Sequence, residues 1–491
     1  KSRIKGIDHV VVFGIQYFIK EYLIKQWNEN FFQKPKEEVI SKYKRMMDFT
    51  LGKDSVPTIH LENIHDLGYL PIELKCLPEG TVSPIGVPIL TYYSTHPSGF
   101  FLPGMLETIL STIIWQPITT ATIAREYRRL LDKYAIETTG NNDFVKFQGH
   151  DFSMRGMSSL ETACTSGAAH LLSFVGTDTI PAIEFLEQYY GANIETEVVG
   201  TSVPASEHSV MTMGTKEDEK GTISRLLKLF PIGILSIVMD SWDITKATKP
   251  EKDGYLFQLK EEIMQREGTL VVRPDSTPEG ISIADLLTGK LDKSFQSDRE
   301  LEAYYPEFYK KGLLQCLYEI FGGTKNSRGY IELDSHIKII YGDGLGLHNI
   351  EEILQRIKSI GFATTNVVMG FGSYGYQCNT RDSLGSAVKA TYGEITSKHQ
   401  YNDGGYHNVI EAREIFKAPI TDSGEKKSKK GLLRVVELRD KFSQNNSSQL
   451  QVYDQQTWEQ EKQGLLQTVF KDGVLVKETT LDKIREKLTV S

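Results

Sequence analysis

Ser236-Ile237-Val238-Met239-Asp240-Ser241-Trp242-Asp243 sets a short apolar run directly against two acids, and that junction decides the fold. The run, from Ile234 to Met239, has relatives further along the chain. Gly268 to Val272 leads into Arg273-Pro274-Asp275-Ser276, Ile337 to Tyr341 into Gly342-Asp343-Gly344, and Asn366 to Met369 into Gly370-Phe371-Gly372-Ser373-Tyr374-Gly375. Phe174-Val175-Gly176, upstream, leads into Thr177-Asp178. Short β-rich runs alternating with helical patterns, as in His348 to Ile360, are the mark of a parallel α/β sheet or barrel.

In a β/α barrel the loops that follow the strands share one rim, where active sites form. Asp178, Asp240, Arg273, Asp275 and Asp343 are therefore expected to converge although they lie far apart in sequence. The competing reading is helix capping, since an Asp after a strand often caps the next helix. Five such residues, one of them an Arg, together with two glycine turns, argue against capping alone. Gly370 to Gly375 also spells Gly-x-Gly-x-x-Gly, but Tyr376 to Arg381 is a poor helix start, which argues against a dinucleotide site. Glycine amides receiving a single phosphate are the better expectation.

Outward from these runs, the first part of the chain mixes helical stretches such as Val11 to Trp27 with strand-like runs from Pro71 to Pro103. Beyond Tyr376 the pattern is polar and hairpin-like. Phe470-Lys471-Asp472-Gly473-Val474 signals a tight turn, and Glu425 to Lys430 reads as an exposed loop. The fold class expected is α/β: an irregular β/α barrel over residues 140–376, with a second, mostly β domain built from both chain ends, 1–139 and 377–491.

A chain of 491 residues exceeds one ordinary core. Its net charge of -8 argues against a general nucleic-acid binder, so phosphate chemistry must rest on a few local cations. Cys76, Cys164, Cys316 and Cys378 are too dispersed for a zinc site or disulfide framework, and a reduced cytoplasmic protein is expected. No apolar run is long enough to span a bilayer, and no leader precedes the first motifs.

Several motifs, taken in order, carry a resemblance. They are His150-Asp151-Phe152-x-x-Arg155-Gly156, Ser158-Ser159-x-Glu161-Thr162, Gly176-Thr177-Asp178-Thr179, Ser202-Val203-Pro204-Ala205-x-Glu207-His208-Ser209, Asp240-Ser241-x-Asp243, Arg273-Pro274-Asp275-Ser276, Gly342-Asp343-Gly344, Phe371-Gly372-Ser373 and Thr380-Arg381-Asp382. Together they resemble the nicotinamide phosphoribosyltransferases, type II phosphoribosyltransferases, through essentially the whole chain. The resemblance implies that Phe152 stacks on the nicotinamide ring and Asp178 accepts from its carboxamide, with Ser202, Ser236 and Pro274 among the substrate contacts. Arg155, Arg273, Arg381, Lys389 and possibly Lys417 would bind the diphosphate or ring-side groups of phosphoribosyl pyrophosphate. Gly342, Asp343 and Gly375 would hold the ribose phosphate, and Asp275 the ribose hydroxyls. Asp240 and Asp275 would lie near a magnesium ion on the diphosphate. His208, with Arg273 and Asp275, would be catalytic, and ATP would phosphorylate His208. A homodimer with shared sites is implied, with neither nucleic acid nor membrane as partner.

The same resemblance implies a preceding segment whose tyrosine closes the other face of the base site. It also marks departures, Ala387 standing where a serine is common and the Gly372 to Thr380 loop being short. The chemistry agrees with the roles. Displacing diphosphate from an anomeric carbon builds positive charge on the ribose and negative charge on the leaving group, calling for preorganised cations and nearby carboxylates. Each residue has a plainer reading: Phe152 as core, His208 as a structural histidine, Arg155 paired with Glu161. The competing functions are a nicotinate phosphoribosyltransferase, a secreted binding protein and a dinucleotide oxidoreductase. Asp178 favours a carboxamide over a carboxylate substrate, because two carboxylates repel.

Overall fold

The computed structural model describes residues 2–277, 281–290, 306–400, 406–418, 428–439 and 448–490. The part of the expected lysine loop from 425 to 427 lies outside them. The described chain groups into two compact units, one of residues 1–122, 186–192 and 379–491, the other of 123–185 and 193–378. The division at 122/123 falls within a 38-residue helix, Leu102–Thr139.

The second unit is the barrel. Its strands are β1 (Gly149–Asp151), β2 (Gly176–Thr177), β3 (Leu235–Val238), β4 (Leu270–Arg273), β5 (Ile337–Tyr341) and β6 (Val367–Phe371). They pair in the order β2-β1-β6-β5-β4-β3, every pair parallel. Leu235, Ile237, Leu270, Val272, Ile337, Ile339, Val367 and Met369 are all buried, each such side chain contributing about 1.5–3 kcal/mol. The gap between β2 and β3 is bridged by an irregular segment. Thr201 bridges Gly176 and Ala205 bridges Ser236, both in parallel sense. Hydrogen bonds from Thr177 N–H to Thr201 O (2.9 Å) and from Ser206 N–H to Ser236 O (2.9 Å) complete the ring. The barrel is thus closed but irregular, as its sequence implied.

The helix foreseen at His348 to Ile360 is Ile350–Ser359. It buries Ile350, Ile353, Leu354 and Ile357, one face at helical spacing, while Glu351 and Glu352 begin it and Arg356 and Lys358 end it in accord with its dipole.

The first unit has a four-stranded antiparallel sheet drawn from both chain ends: Val474–Leu475, Gln467–Lys471, Ile72–Cys76 and Leu90–Ser94, in that order. Phe470, Ile72 and Leu74 sit in its core cluster. Lys75, itself buried, donates to buried Glu461 at 2.6 Å, tying early and late sequence together. The Asp472-Gly473 turn has φ of 50° and 83°, and Lys471 pairs with Val474, the two-residue hairpin expected there. The stretch from Val11 to Trp27 differs from its reading. Val11 ends a strand, His9–Val11, and the helix starts at Ile15 and passes into π-helical turns at Ile19–Gln26. Gly14, at φ 90°, makes the break, and the Glu79 carboxylate accepts from the N–H of Gly14 (3.2 Å) and Gln16 (2.6 Å). Among the described residues no helix is long and apolar enough to cross a membrane.

Candidate active site

The ends of the barrel strands bring the expected side chains together in two neighbouring groups. The first centres on Asp178, just after β2. Its Oδ1 accepts from His150 Nε2 at 2.8 Å and from Ser202 Oγ at 2.6 Å. His150 comes from β1, and Ser202 from the segment that closes the ring. Burial pushes the Asp178 carboxyl up, but hydrogen bonds from His150 and Ser202, with the charges of His150 and Arg273, outweigh it and hold it below the ordinary aspartate value.

Phe152 follows β1, its N–H bonded to Phe371 O at 2.9 Å. Its ring lies across Gly342 and Gly370. A Cβ at either glycine would fall 2.9 or 2.5 Å from the ring, so both positions require the missing side chain. The His150 ring centroid is 4.9 Å from that of Phe152, and the Arg273 guanidinium carbon is 5.8 Å from it.

Arg273 ends β4 and is 7% exposed, yet its contacts are long: 3.5 Å to Asp275 and 3.8 Å to Glu207. Its Nε is buried and has no partner among the described residues. A buried guanidinium so weakly engaged is suited to an anionic or carbonyl ligand. Glu207 also faces Arg155, at 3.6 Å. Arg155 is exposed and turns to Glu207.

The second group surrounds Asp240. Its Oδ1 lies 3.2 Å from His208 Nε2, and its Oδ2 accepts from the Asp275 N–H at 3.0 Å and from the Ser276 hydroxyl. His208 opens the helix His208–Met213. Asp240 therefore couples the histidine to the Arg273-Pro274-Asp275 turn and caps no helix. Asp243 does cap one, accepting from Thr245 N–H (3.0 Å) and Lys246 N–H (3.1 Å). The capping reading thus holds for Asp243 and fails for Asp240 and Asp178.

The other expected residues are distributed over the two units. Ser236 is buried within β3, and among the described residues no side-chain bond joins its hydroxyl to either cluster. Asp343 is exposed after β5. Gly375 lies in the five-residue helix Ser373–Gln377, which opens directly after Gly372 where the sequence had given no helix start. Arg381 and Lys389 belong to the other unit, where both are exposed and Arg381 pairs with Asp382 at 3.2 Å. Lys417 is exposed there too. Ser159, in a motif shared by resemblance, proves to be the N-cap of Leu160–His170, in a capping box with Thr162.

His150 and Glu207 were quoted in motifs but given no site role. Their signal was present only as neighbours of Phe152 and His208 in the sequence. Glu219 carried none: it is buried near Asp240 and Asp243, and burial, then those two charges, push its carboxyl up to about 7.

Among the described residues no group of three or more His, Cys, Asp or Glu side chains is arranged to hold a metal ion. Both Asp240 oxygens are engaged by protein donors, whereas the Asp275 side chain is 30% exposed. This donor set fits a cation delivered on a substrate phosphate, since magnesium is usually held by one or two carboxylates plus phosphate oxygens.

A closed β/α barrel with paired carboxylates, a buried arginine and an aromatic ring at its strand ends has the makings of an enzyme site. The model of the "Nicotinate phosphoribosyltransferase (NAPRTase) family" matches residues 147–474, which spans the whole of this rim, and the chain belongs to that family. It is 44% identical over 98% of its length to a nicotinamide phosphoribosyltransferase of Acinetobacter baylyi, covering 88% of that protein. Against one of Xanthomonas campestris pv. campestris it is 32% identical, with 85% of this chain and 79% of that one aligned. Against one of Mycoplasma pneumoniae it is 36% identical, over 72% and 69%. The chain is accordingly an enzyme of the phosphoribosyltransferase class.

Proposed function

We propose that the enzyme joins nicotinamide to the ribose 5-phosphate of phosphoribosyl pyrophosphate, giving nicotinamide mononucleotide and diphosphate. The observation that carries this reading is the Asp178 carboxylate, fixed on one oxygen by His150 and Ser202 beside Phe152. A fixed carboxylate accepts a carboxamide N–H and repels a substrate carboxylate. The family takes its name from the nicotinate enzyme, but the relatives named above are nicotinamide enzymes, and Asp178 sides with them.

In this reading Phe152 stacks on the base and Asp178 Oδ2 accepts from its carboxamide. Arg273 and Arg155 face the ring side and the diphosphate, Asp275 binds the ribose hydroxyls, and Gly342, Asp343 and Gly375 receive the ribose phosphate. Magnesium bound to the diphosphate, with Asp275 as its protein ligand and Asp240 behind it, would offset the charge of the leaving group. Ser236, on β3, and Pro274, in the turn after β4, are among the substrate contacts. ATP is a facultative third substrate. Its γ-phosphoryl passes to an imidazole nitrogen of His208, ADP leaves, and later hydrolysis of the phosphohistidine drives synthesis. Support for that role is the 3.2 Å contact that orients His208 on Asp240. The working form is a cytoplasmic homodimer with shared sites.

The test is product analysis after the protein is mixed with phosphoribosyl pyrophosphate and magnesium and with each base in turn, with and without ATP. Nicotinamide mononucleotide is expected, at a rate above that of the nicotinate product. Faster turnover of nicotinate would overturn the reading.

A further inference from the structure

Asp178 Oδ1 carries two donors, His150 Nε2 at 2.8 Å and Ser202 Oγ at 2.6 Å. Both fall on the same oxygen, which leaves Oδ2 for a ligand. The donors differ in how they are held. Ser202 is exposed on the ring-closing segment, whereas the His150 side chain is 11% exposed. The His150 ring is fixed from two sides. A Cβ at Gly176 would lie 2.8 Å from His150 Nδ1, so β2 presses against one edge. The Phe152 ring stands 4.9 Å away on another side. To donate to a carboxylate, Nε2 must carry the proton, and the short contact selects that tautomer.

We propose that His150 is a positioning residue that sets base choice: it locks Asp178 as an oriented, ionised acceptor whose second oxygen meets the carboxamide N–H. This rests on the reading of the enzyme as a nicotinamide transferase. The physical need is plain. An Asp free to rotate would aim its acceptor in no fixed direction, and one that took up a proton could donate to a nicotinate carboxylate. A buried donor on Oδ1 removes both options. His150 contacts the acceptor and acts through it, so its loss should show in binding of the base more than in the chemical step.

The test compares His150→Gln, which keeps an N–H donor, with His150→Met, of similar length and without one. Steady-state kinetics are measured with nicotinamide and with nicotinate, beside the wild type. His150→Met should raise KM for nicotinamide about tenfold or more, the usual effect of losing a hydrogen bond to a charged group, with kcat changed far less. Its nicotinamide-over-nicotinate preference should narrow by a similar factor. His150→Gln should recover most of both. Should the Met variant fold poorly by circular dichroism, His150→Phe repeats the donor-free arm. Unchanged KM and preference in the donor-free variant would overturn the proposal. So would equal losses in the Gln and Met variants, the pattern of a residue that only packs. A wild type that prefers nicotinate would instead overturn the functional reading beneath it.

Discussion

His208, at the start of its helix, meets Asp240 at 3.2 Å just after β3, and that contact gives the histidine one orientation. A phosphoryl-carrying His208 and a structural one differ in what its removal does to ATP turnover. If His208 carries a phosphoryl group, His208→Ala abolishes ATP hydrolysis and lowers ATP-supported synthesis about a hundredfold or more, the scale of removing a group that takes part in the chemistry. Full ATP-stimulated turnover in this variant would rule the role out. Residues at this scale were partly legible. Asp178, Arg273 and Asp275 could be read because they recur together directly after successive apolar runs, a set that helix capping alone does not explain. His150 could not, because it lies inside its strand, one residue before buried Asp151, and nothing local marks it as facing the rim. Glu207 is the N-cap residue of a short helix, though no side-chain bond makes the cap. The two arginines that face it, Arg155 and Arg273, lie about fifty and sixty-six residues away, and only folding brings them near.

At the scale of elements, the strands that the sequence announced are those with short apolar runs rich in Val and Ile, Leu235–Val238, Leu270–Arg273, Ile337–Tyr341 and Val367–Phe371. The wall between β2 and β3 gave no such sign. Thr201 to Ser206 contains Pro204, which has no N–H for a ladder, and it joins its neighbours through isolated bridges. The long helix Leu102–Thr139 was hidden for a related reason, since Pro117 inside it reads as a break. Where the segment lacks ladder bonds, a side chain supplies one: Ser206 Oγ, buried, accepts the N–H of Val238 at 3.0 Å. Ser206→Ala leaves that N–H unsatisfied in the barrel wall and should destabilise the protein by about 1–3 kcal/mol. The measurement is the urea midpoint, which should fall. Because Ser202 rides on the same segment, KM for the base should rise with it. An unchanged midpoint would mean the ring closes without this bond.

For the whole molecule, the residues proposed for the site are divided between the two units. Phe152, Asp178, His208, Arg273 and Asp275 belong to the barrel unit, and Arg381 and Lys389 to the unit built from both chain ends. That second unit was legible in outline because the texture of the sequence changes on both sides of the barrel. The buried Lys75–Glu461 pair, joining residues 386 apart, lay beyond any local pattern. In the proposed shared-site dimer Arg381 and Lys389 would meet a diphosphate in the other subunit's barrel, and this can be tested without knowing any distance. A closed two-fold pair holds two equivalent sites. If each site draws its His208 from one chain and its Arg381 from the other, an Arg381→Ala protein and a His208→Ala protein are each inactive alone. In a heterodimer of the two, one site carries both defects and the other carries neither. Random exchange makes half the dimers mixed, so activity should return to about a quarter of the wild-type value by that symmetry. Exchange is followed independently with two affinity tags, one on each variant. If mixed dimers form and no activity returns, Arg381 serves the barrel of its own chain and the shared-site assembly is wrong.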